Sequence, residues 1–198
     1  MSKAMTLALA LAFVAGGAFA QQDAPKLKIG AKVGNKVPAY KAGASDLALV
    51  DEKKVEFDSH KTKTATAYVF MSTTCPYVKA YRERLAGIGK KYGKKGVQFV
   101  FVYPNRKEAL KDKVSYHRKY GFTGLWLEDK KASFAKALQI DKTPLVVLAD
   151  KKGKIVFRGG IDDNPFDAKK VKRPYFTNAI DDVLAGRKVK VKTARTYG

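Results

Sequence analysis

Short apolar runs alternate along the chain with stripes of apolar residues at helical spacing. Residues 67–71 are a continuous apolar run, typical of a strand that is buried on both faces, and residues 97–103, rich in Val and Phe, predict a second buried strand. Between them, Pro76 opens a stretch in which an apolar residue recurs every three or four positions as far as Tyr92, which predicts a helix. Because strands connected through a helix run parallel, this unit predicts a parallel sheet.

The next segment carries the start signals of two helices. Asn105, followed three residues later by Glu108, resembles a capping arrangement and predicts a helix from there to about Lys119. A short apolar piece at 125–127 is followed by Asp129, a candidate cap for a brief helix. The segment therefore adds a long and a short helix to the pattern.

Two hairpins and a last helix complete the pattern. Residues 47–57 predict a β-hairpin near the N-terminus, and residues 145–157 predict a second one. A helix fits residues 175–184. We therefore expect one α/β domain with a central mixed sheet, helices on both faces and an N-terminal β-hairpin extension.

The first residues have the pattern of a signal peptide. Lys3 provides a positive start, residues 5–17 are almost wholly apolar, and residues 18–20 read Ala-Phe-Ala, the small-x-small pattern of a cleavage site. The run is too short for a membrane span, which needs about 20 apolar residues. A buried N-terminal helix is the alternative, and the abrupt polar turn at residues 21–23 disfavours it. We expect a periplasmic or secreted protein with no integral membrane segment after cleavage.

The expected organisation of the chain has three parts. A signal peptide covers residues 1–20, a folded domain covers 21–186, and a basic C-terminal tail covers 187–198. In that tail, lysines alternate with valines between residues 188 and 192, so an extended conformation would place its cations on one side.

Charge and cysteine content narrow the chemistry. The 198 residues include 40 Lys and Arg against 18 Asp and Glu, a formal net charge of +22. The positive electrostatic field of such a chain attracts polyanions, such as those of a cell envelope. A generally basic, solvated surface with no specific partner explains the same charge, and both interpretations stay open. One Cys excludes an intramolecular disulfide, and one Cys with two His disfavours a metal-centred function. We expect no metal and no cofactor.

The single cysteine lies where a strand gives way to a helix. If Pro76 is the first helical residue, Cys75 is the N-cap and faces the unpaired N–H groups of the helix. Those groups and the helix dipole favour a thiolate, the reactive form of cysteine. The alternative is a buried, inert Cys that fills a small space. The carboxyl end of a strand in an open α/β sheet is where functional residues collect, which favours a reactive Cys75.

Motifs from about residue 29 to the C-terminus resemble one family. A buried strand, then Cys-Pro opening a helix, then Thr143-Pro144 before a hairpin is similar to the thioredoxin fold. The lead-in with Gly34, Pro38 and Tyr40 resembles the Gly-x-x-x-Pro-x-aromatic start of redoxins, in the alkyl hydroperoxide reductase and peroxiredoxin-like branch. Further similar segments are residues 135–138, 150–154 and 158–163.

The resemblance implies a thioredoxin-like fold with a thiol site. In it, Cys75 is the attacking cysteine, and Thr143 and Pro144 form a cis-proline loop packed beside it. The backbone of that loop is expected to bind an extended peptide or a small thiol by strand-like pairing. The implied partners are a peroxide or thiol/disulfide substrate and an external thiol reductant.

Four further residues are candidates for support of the thiolate or the substrate. Ser72 and Thr74 offer hydroxyl groups to the thiolate, with capping of the strand end as the alternative. Pro76 starts the helix behind the cysteine. Arg158 follows a core strand and is a candidate for steadying a thiolate or a bound peroxide, with an ordinary surface Arg as the alternative.

The departures from the family pattern define the expected chemistry. Val78 stands where thioredoxins keep a second Cys, so no intramolecular CxxC disulfide can form. Tyr68 stands at the Pro position of the peroxiredoxin motif, although Ser72 fits its hydroxyl position. Some relatives carry a further Cys beyond a segment like residues 193–198, and we expect this chain to lack such a resolving Cys.

The expected function is therefore that of an exported redoxin with one-Cys thiol oxidoreductase or peroxidase activity at Cys75. The alternative is a non-catalytic thioredoxin-fold module that binds a peptide or a polyanionic envelope partner.

Overall fold

The computed structural model describes residues 32–42, 47–50, 53–61 and 64–198. The predicted signal peptide and the start of the predicted domain, at residues 21–31, lie outside them. Within the described residues the elements follow the order β1 (Leu47–Val50), β2 (Lys53–Lys54), β3 (Thr66–Phe70), α1 (Pro76–Gly93), β4 (Gln98–Tyr103), α2 (Leu110–Lys119), β5 (Leu125–Glu128), α3 (Ser133–Ala137), β6 (Leu145–Ala149), β7 (Ile155–Gly159), a 3₁₀ turn (Ala168–Lys170) and α4 (Tyr175–Leu184).

All seven strands of the described residues form one mixed sheet in the order β2-β1-β5-β4-β3-β6-β7. The central strand β3 runs parallel to β4 and antiparallel to β6, and β4 runs parallel to β5. The carboxyl ends of β3, β4 and β5 therefore lie at one end of the sheet, together with the beginning of β6. The loops at this end carry the candidate site.

Alternate side chains along each central strand pack on opposite faces of the sheet, because strand residues point up and down in turn. Val69 and Phe101 contribute to a core cluster that includes apolar residues of α1 and α4. Tyr68 and Val100 contribute to a second cluster that includes Phe134 of α3. The prediction of a central mixed sheet with helices on both faces is confirmed.

The N-terminal hairpin differs in detail from its prediction. Strand β1 pairs antiparallel with β2, and it also pairs antiparallel with β5 at the apolar piece that the sequence left unassigned. The returning strand is only residues 53–54 and does not continue to residue 57. The side chain of Phe57 is buried instead in a ring cluster with Tyr40 and Phe134, which takes this part of the chain off the hairpin ladder.

The predicted N-caps of α2 and α3 are both wrong in position, and the N-cap of α3 is Ala132. The side chain of Asp129 nevertheless binds amides in the first turn of α3. Helix α2 begins at Leu110 and its N-cap is Ala109, because the carboxylate of Glu108 is bound elsewhere, as described below. The carboxylate of Asp129 accepts hydrogen bonds from the amide of Ala135 at 2.9 Å and from that of Phe134 at 3.4 Å. Among the described residues, no helix has the length and apolar character that crossing a membrane requires.

Candidate functional site

The cysteine occupies the position that the sequence predicted. Helix α1 begins at Pro76, and Cys75 is its N-cap, with an extended backbone (φ −68°, ψ 124°). Proline suits the first helical position because its missing N–H would have no partner there. The carbonyl of Cys75 accepts the amide of Lys79 at 3.0 Å, which ties the cysteine backbone to the first turn.

The thiol of Cys75 is bound to the proline loop and not to the helix amides. Within the described part of the chain, Cys75 makes no side-chain hydrogen bond to the N-terminal amides of α1. Its Sγ donates to the carbonyl oxygen of Thr143 at 3.1 Å, a contact that only the protonated thiol can make. The side chain is half-buried. The expected position of Cys75 is thus confirmed, but its thiol is bound to the proline loop.

The sheet register brings the proline loop to the cysteine. Strands β3 and β6 are antiparallel, and Phe70 at the end of β3 pairs with Leu145 at the start of β6. The residues just after β3 and just before β6 are therefore neighbours. The Thr143–Pro144 peptide bond is cis, as the family resemblance implied, and Pro144 is buried.

One buried carboxylate organises the loop that leads to the cysteine. Glu108 follows β4 and accepts hydrogen bonds from the hydroxyl of Ser72, from the amide of Thr73 at 3.0 Å and from the hydroxyl of Thr74 at 3.2 Å. The side-chain amide of Asn105 donates to the same carboxylate at 3.0 Å. Burial acts to raise the pKa of Glu108, but the bonds from residues 72–74 outweigh it and hold the pKa below its ordinary value.

These contacts give two of the predicted support residues a different role. The hydroxyl groups of Ser72 and Thr74 are engaged with Glu108, so they fix the shape of the loop immediately before the sulfur. Their direct support of a thiolate stays a prediction, as does that of Pro76, which lies exposed at the start of α1. The sequence had assigned Glu108 to helix capping, and only the tertiary contact shows its place beside Cys75.

Tyr116 on α2 is a second neighbour that the sequence did not indicate. Its hydroxyl is buried without a hydrogen-bond partner among the described residues. The pKa of Tyr116 is raised to about 12, mainly by burial and then by Tyr120; Arg82 lowers it, and Cys75 and Glu108 add smaller increases. The ring of Tyr116 packs on that of Tyr120, with 4.7 Å between the centroids, and Tyr116 and Cys75 pack against the same core cluster.

Arg158 is held away from the role predicted for it. It lies in β7, half-buried, and its guanidinium donates to the carbonyls of Leu138 at 2.6 Å and Gln139 at 2.5 Å. Those carbonyls follow the short helix α3, where a cation is favourable. Support of a thiolate or peroxide by Arg158 stays a prediction.

Residues 189–198 return from the end of α4 to the cysteine, and we call this segment the strap. It lies along β7, where the amide of Arg158 donates to the carbonyl of Lys192 at 3.0 Å and the amide of Ala194 donates to the carbonyl of Arg158 at 3.2 Å. At its far end, Gly198 lies so close to the carbonyl of Thr143 that a Cβ atom there would collide with the oxygen. The strap thus reaches the same carbonyl as the Cys75 thiol.

A cavity of about 540 Å³ lies between the strap and the body of the protein. Its lining includes Tyr77, which follows the cysteine by two residues, and the cationic side chains of Lys142, Arg158 and Arg195. Its volume is in the range of small-molecule sites.

Comparisons with known proteins agree with this geometry. The family model named Redoxin matches residues 32–173. No match to a curated protein sequence was found. An uncharacterised conserved protein of Geobacillus kaustophilus is 24% identical, with a TM-score of 0.72 over 85% of this chain and 93% of that one.

Two further solved structures are similar. A hypothetical protein of Sinorhizobium meliloti 1021 is 27% identical, with a TM-score of 0.69 over 82% of this chain and 91% of its own. A putative thiol:disulfide interchange protein DsbE of Chlorobium tepidum is 20% identical, with a TM-score of 0.53 over 64% of this chain and 84% of its own. The prediction of a thioredoxin-like fold is confirmed.

Proposed function

Because the chain belongs to the redoxin family and is a thioredoxin-like redox protein, we propose that it is a thiol oxidoreductase that acts through Cys75. The observation that carries the proposal is the meeting of a half-buried thiol, the N-terminus of α1 and the cis-proline loop, with 3.1 Å between Sγ and the Thr143 oxygen. The helix dipole favours negative charge on that sulfur once the proton has left.

The proposed reaction is thiol–disulfide exchange with one protein cysteine. The thiolate of Cys75 attacks one sulfur of a disulfide, a mixed disulfide forms, and the other half leaves as a thiolate. A second, external thiol then attacks the mixed disulfide. It joins the substrate half in a new disulfide and releases Cys75 as the reduced thiolate. A further external thiol attacks that disulfide and releases the substrate half as a thiolate, which leaves the two external thiols joined as a disulfide. Two electrons have then passed from the external thiols to the substrate. An external reductant is needed because the chain contains one Cys.

Two contacts favour a disulfide over a peroxide as the oxidised substrate. Tyr68, at the Pro position of the peroxiredoxin motif, is completely buried in β3 and points into the core. The hydroxyl of Ser72, at the hydroxyl position of that motif, donates to Glu108. With a peroxide, the thiolate would attack an oxygen to give a sulfenic acid and release an alcohol or water.

Intact-mass analysis of the reduced protein tests the proposal. After exposure to a small aromatic disulfide, we expect a mixed disulfide on Cys75 that an added thiol releases, and the Cys75→Ser variant should gain no mass. Hydrogen peroxide is the oxidant used for comparison. If Cys75 forms a sulfenate with hydrogen peroxide faster than it forms a mixed disulfide with the aromatic disulfide, the protein is a peroxidase.

A folded protein that forms neither adduct contradicts an oxidoreductase. It would leave the alternative, a thioredoxin-fold binding module, to which the buried Val78 at the second cysteine position is also suited.

We further propose that the protein acts outside the cytoplasm. The support is the signal-peptide pattern of residues 1–20. Expression of the full chain in a Gram-negative host should yield a periplasmic protein whose N-terminal residue is Gln21. Retention of Met1 in a cytoplasmic product would contradict export. The polyanion contact predicted from the net charge stays a prediction.

A further inference from the structure

The outer edge of the sheet beside the site is occupied by the strap. Strand β7 is the last strand of the sheet order, so its outer N–H and C=O groups are the ones that an added polypeptide strand would use. At Arg158 both groups are already bonded, the amide to Lys192 and the carbonyl to Ala194. A parallel bridge between Arg158 and Thr193 completes the pairing.

The strap also occupies the second place where an extended polypeptide would bind. The carbonyl of Thr143, which belongs to the cis peptide bond, accepts the Cys75 thiol and lies close to Gly198. Just before that point, the ring of Tyr197 stacks on Tyr77, with 6.1 Å between the ring centroids. The strap therefore bonds to the edge of β7 and lies against the carbonyl of Thr143, which are the two backbone positions that strand-like pairing beside the cysteine would use.

Two consecutive glycines make this seat for the strap. A Cβ atom on Gly159 would collide with the backbone of Ala194, and one on Gly160 would collide with the carbonyl oxygen of Arg195. Gly159 has a φ of 153°, which favours glycine on its own account. Gly160 has no such backbone requirement, so only the close approach of the strap calls for glycine at that position.

We propose that the strap is a selectivity element of the Cys75 site, which admits small thiol and disulfide compounds and excludes extended polypeptides. The inference rests on the proposed function for its substrates, but the exclusion itself is a property of access to the sulfur. Alkylation of Cys75 can therefore test it without any redox turnover, so that the two proposals fail separately.

The test compares two alkylating reagents on the folded, reduced protein. One is iodoacetamide, and the other is an extended heptapeptide with a bromoacetyl group at its centre. The alkylation rate of Cys75 with each reagent is divided by the rate of N-acetylcysteine with the same reagent. The ratio of the two normalised rates, peptide to iodoacetamide, is the quantity compared between variants. We expect the normalised peptide rate to be at least about tenfold below that of iodoacetamide, since the strap must open locally before the peptide reaches the sulfur. Gly160→Ala should bring the two normalised rates to within about threefold of each other.

A matched control and a second variant show whether a changed ratio comes from the strap or from a general loss of folding. Gly87→Ala, in α1 with open space around the added methyl group, should leave the wild-type ratio unchanged. Tyr197→Ala removes the ring stacked on Tyr77 and the hydroxyl donated to the carbonyl of Asp163, and should shift the ratio in the same direction as Gly160→Ala. Hydrogen exchange at the amide of Ala194 reports whether the strap has left β7.

Three outcomes would overturn the selectivity role. One is a wild-type protein whose normalised rate with the peptide reagent equals its normalised rate with iodoacetamide. The second is a Gly160→Ala variant in which the Ala194 amide exchanges freely while the wild-type ratio persists, because the strap would then only cover the sheet edge. The third is a Gly160→Ala variant whose two normalised rates come within about threefold of each other while its Ala194 amide stays as protected as in the wild type, because access to the sulfur would then change without movement of the strap.

Discussion

Two buried glutamates that follow or end neighbouring strands are stabilised in different ways. Glu128, at the end of β5, is paired with the equally buried Lys113 at 2.9 Å, and the exposed Lys130 approaches its other oxygen at 3.5 Å. Glu108, in the loop after β4, is bound by hydroxyl and amide groups of residues 72–74 and by Asn105, and within the described residues it forms no ion pair.

The difference shows that the charge of Glu128 holds two elements of the fold together, whereas the charge of Glu108 shapes the loop at the site. A buried ion pair fixes two elements to each other, here α2 to β5. A buried carboxylate bound by neutral donors keeps its negative charge and imposes a conformation on the loop that donates to it. In a chain with a net charge of +22, cations are abundant. The arrangement at Glu108 therefore indicates that the loop before Cys75 is what this carboxylate serves.

Breaking the ion pair should have the largest effect. Lys113→Ala leaves the Glu128 carboxylate buried without its closest cation, and we expect a loss of about 3–5 kcal/mol in the free energy of unfolding. Urea denaturation measures it. Lys111→Ala, on the exposed side of the same helix, is the control and should change stability by less than about 0.5 kcal/mol. A loss at Lys113 no larger than at Lys111 would show that the pair is not structural.

Removing the charge of Glu108 should have the next largest effect. Glu108→Gln keeps the shape but replaces one acceptor oxygen with a donor, so at least one of the bonds from residues 72–74 is lost. We expect a loss of about 1.5–3 kcal/mol in unfolding free energy, the contribution of a hydrogen bond to a charged group. Glu83→Gln, at an exposed position of α1, is the matched control. Equal results for the two variants would contradict the role assigned to Glu108.

Acid should erase the difference between wild type and Glu108→Gln. The pKa of Glu108 is lower in the folded protein than its ordinary value of about 4.5, so its contribution to stability is complete above that value. The contribution is lost as the pH falls through the lower folded pKa. Urea midpoints of both proteins between pH 6 and about 2.5 should therefore converge towards the acid end. A constant difference over this range would contradict a lowered pKa.

A pair of tyrosines should give the smallest effects and a sharp contrast. The hydroxyl of Tyr81 donates to the buried carboxylate of Asp162 at 2.8 Å, whereas that of Tyr116 has no partner among the described residues. Tyr81→Phe should cost about 1–2 kcal/mol of unfolding free energy, and Tyr116→Phe should change it by less than about 0.5 kcal/mol. A large loss for Tyr116→Phe would reveal a structural bond to that hydroxyl.

The sequence allowed the framework of this fold to be predicted because the pattern of each strand is local. The apolar strand patterns and the spacing of apolar residues after Pro76 were enough to predict β3, β4 and α1. The position of Cys75 follows because it lies between the end of β3 and the start of α1. Glu108 could not be predicted in its place, because Asn105-x-x-Glu108 has the spacing of a cap and the competing donors lie 34 to 36 residues away.

The strap could not be predicted for a related reason. Alternating Lys and Val between residues 188 and 192 indicate an extended tail, but nothing in that pattern says which strand edge the tail meets. The neighbouring glycines 159 and 160 are the one trace of it in the sequence, and they are equally typical of a turn after β7.

The central claim, that Cys75 is a reactive sulfur, is tested most directly by one rate constant. It is the second-order rate constant of the reduced protein with a small aromatic disulfide at pH 7, measured beside that of free cysteine. The account predicts a higher value for the protein, by up to about sixfold. A helix N-terminus favours the thiolate, and the accompanying fall in nucleophilicity, with a Brønsted slope of about 0.4–0.5, offsets about half of that gain on a logarithmic scale. A value at or below that of free cysteine would contradict the claim.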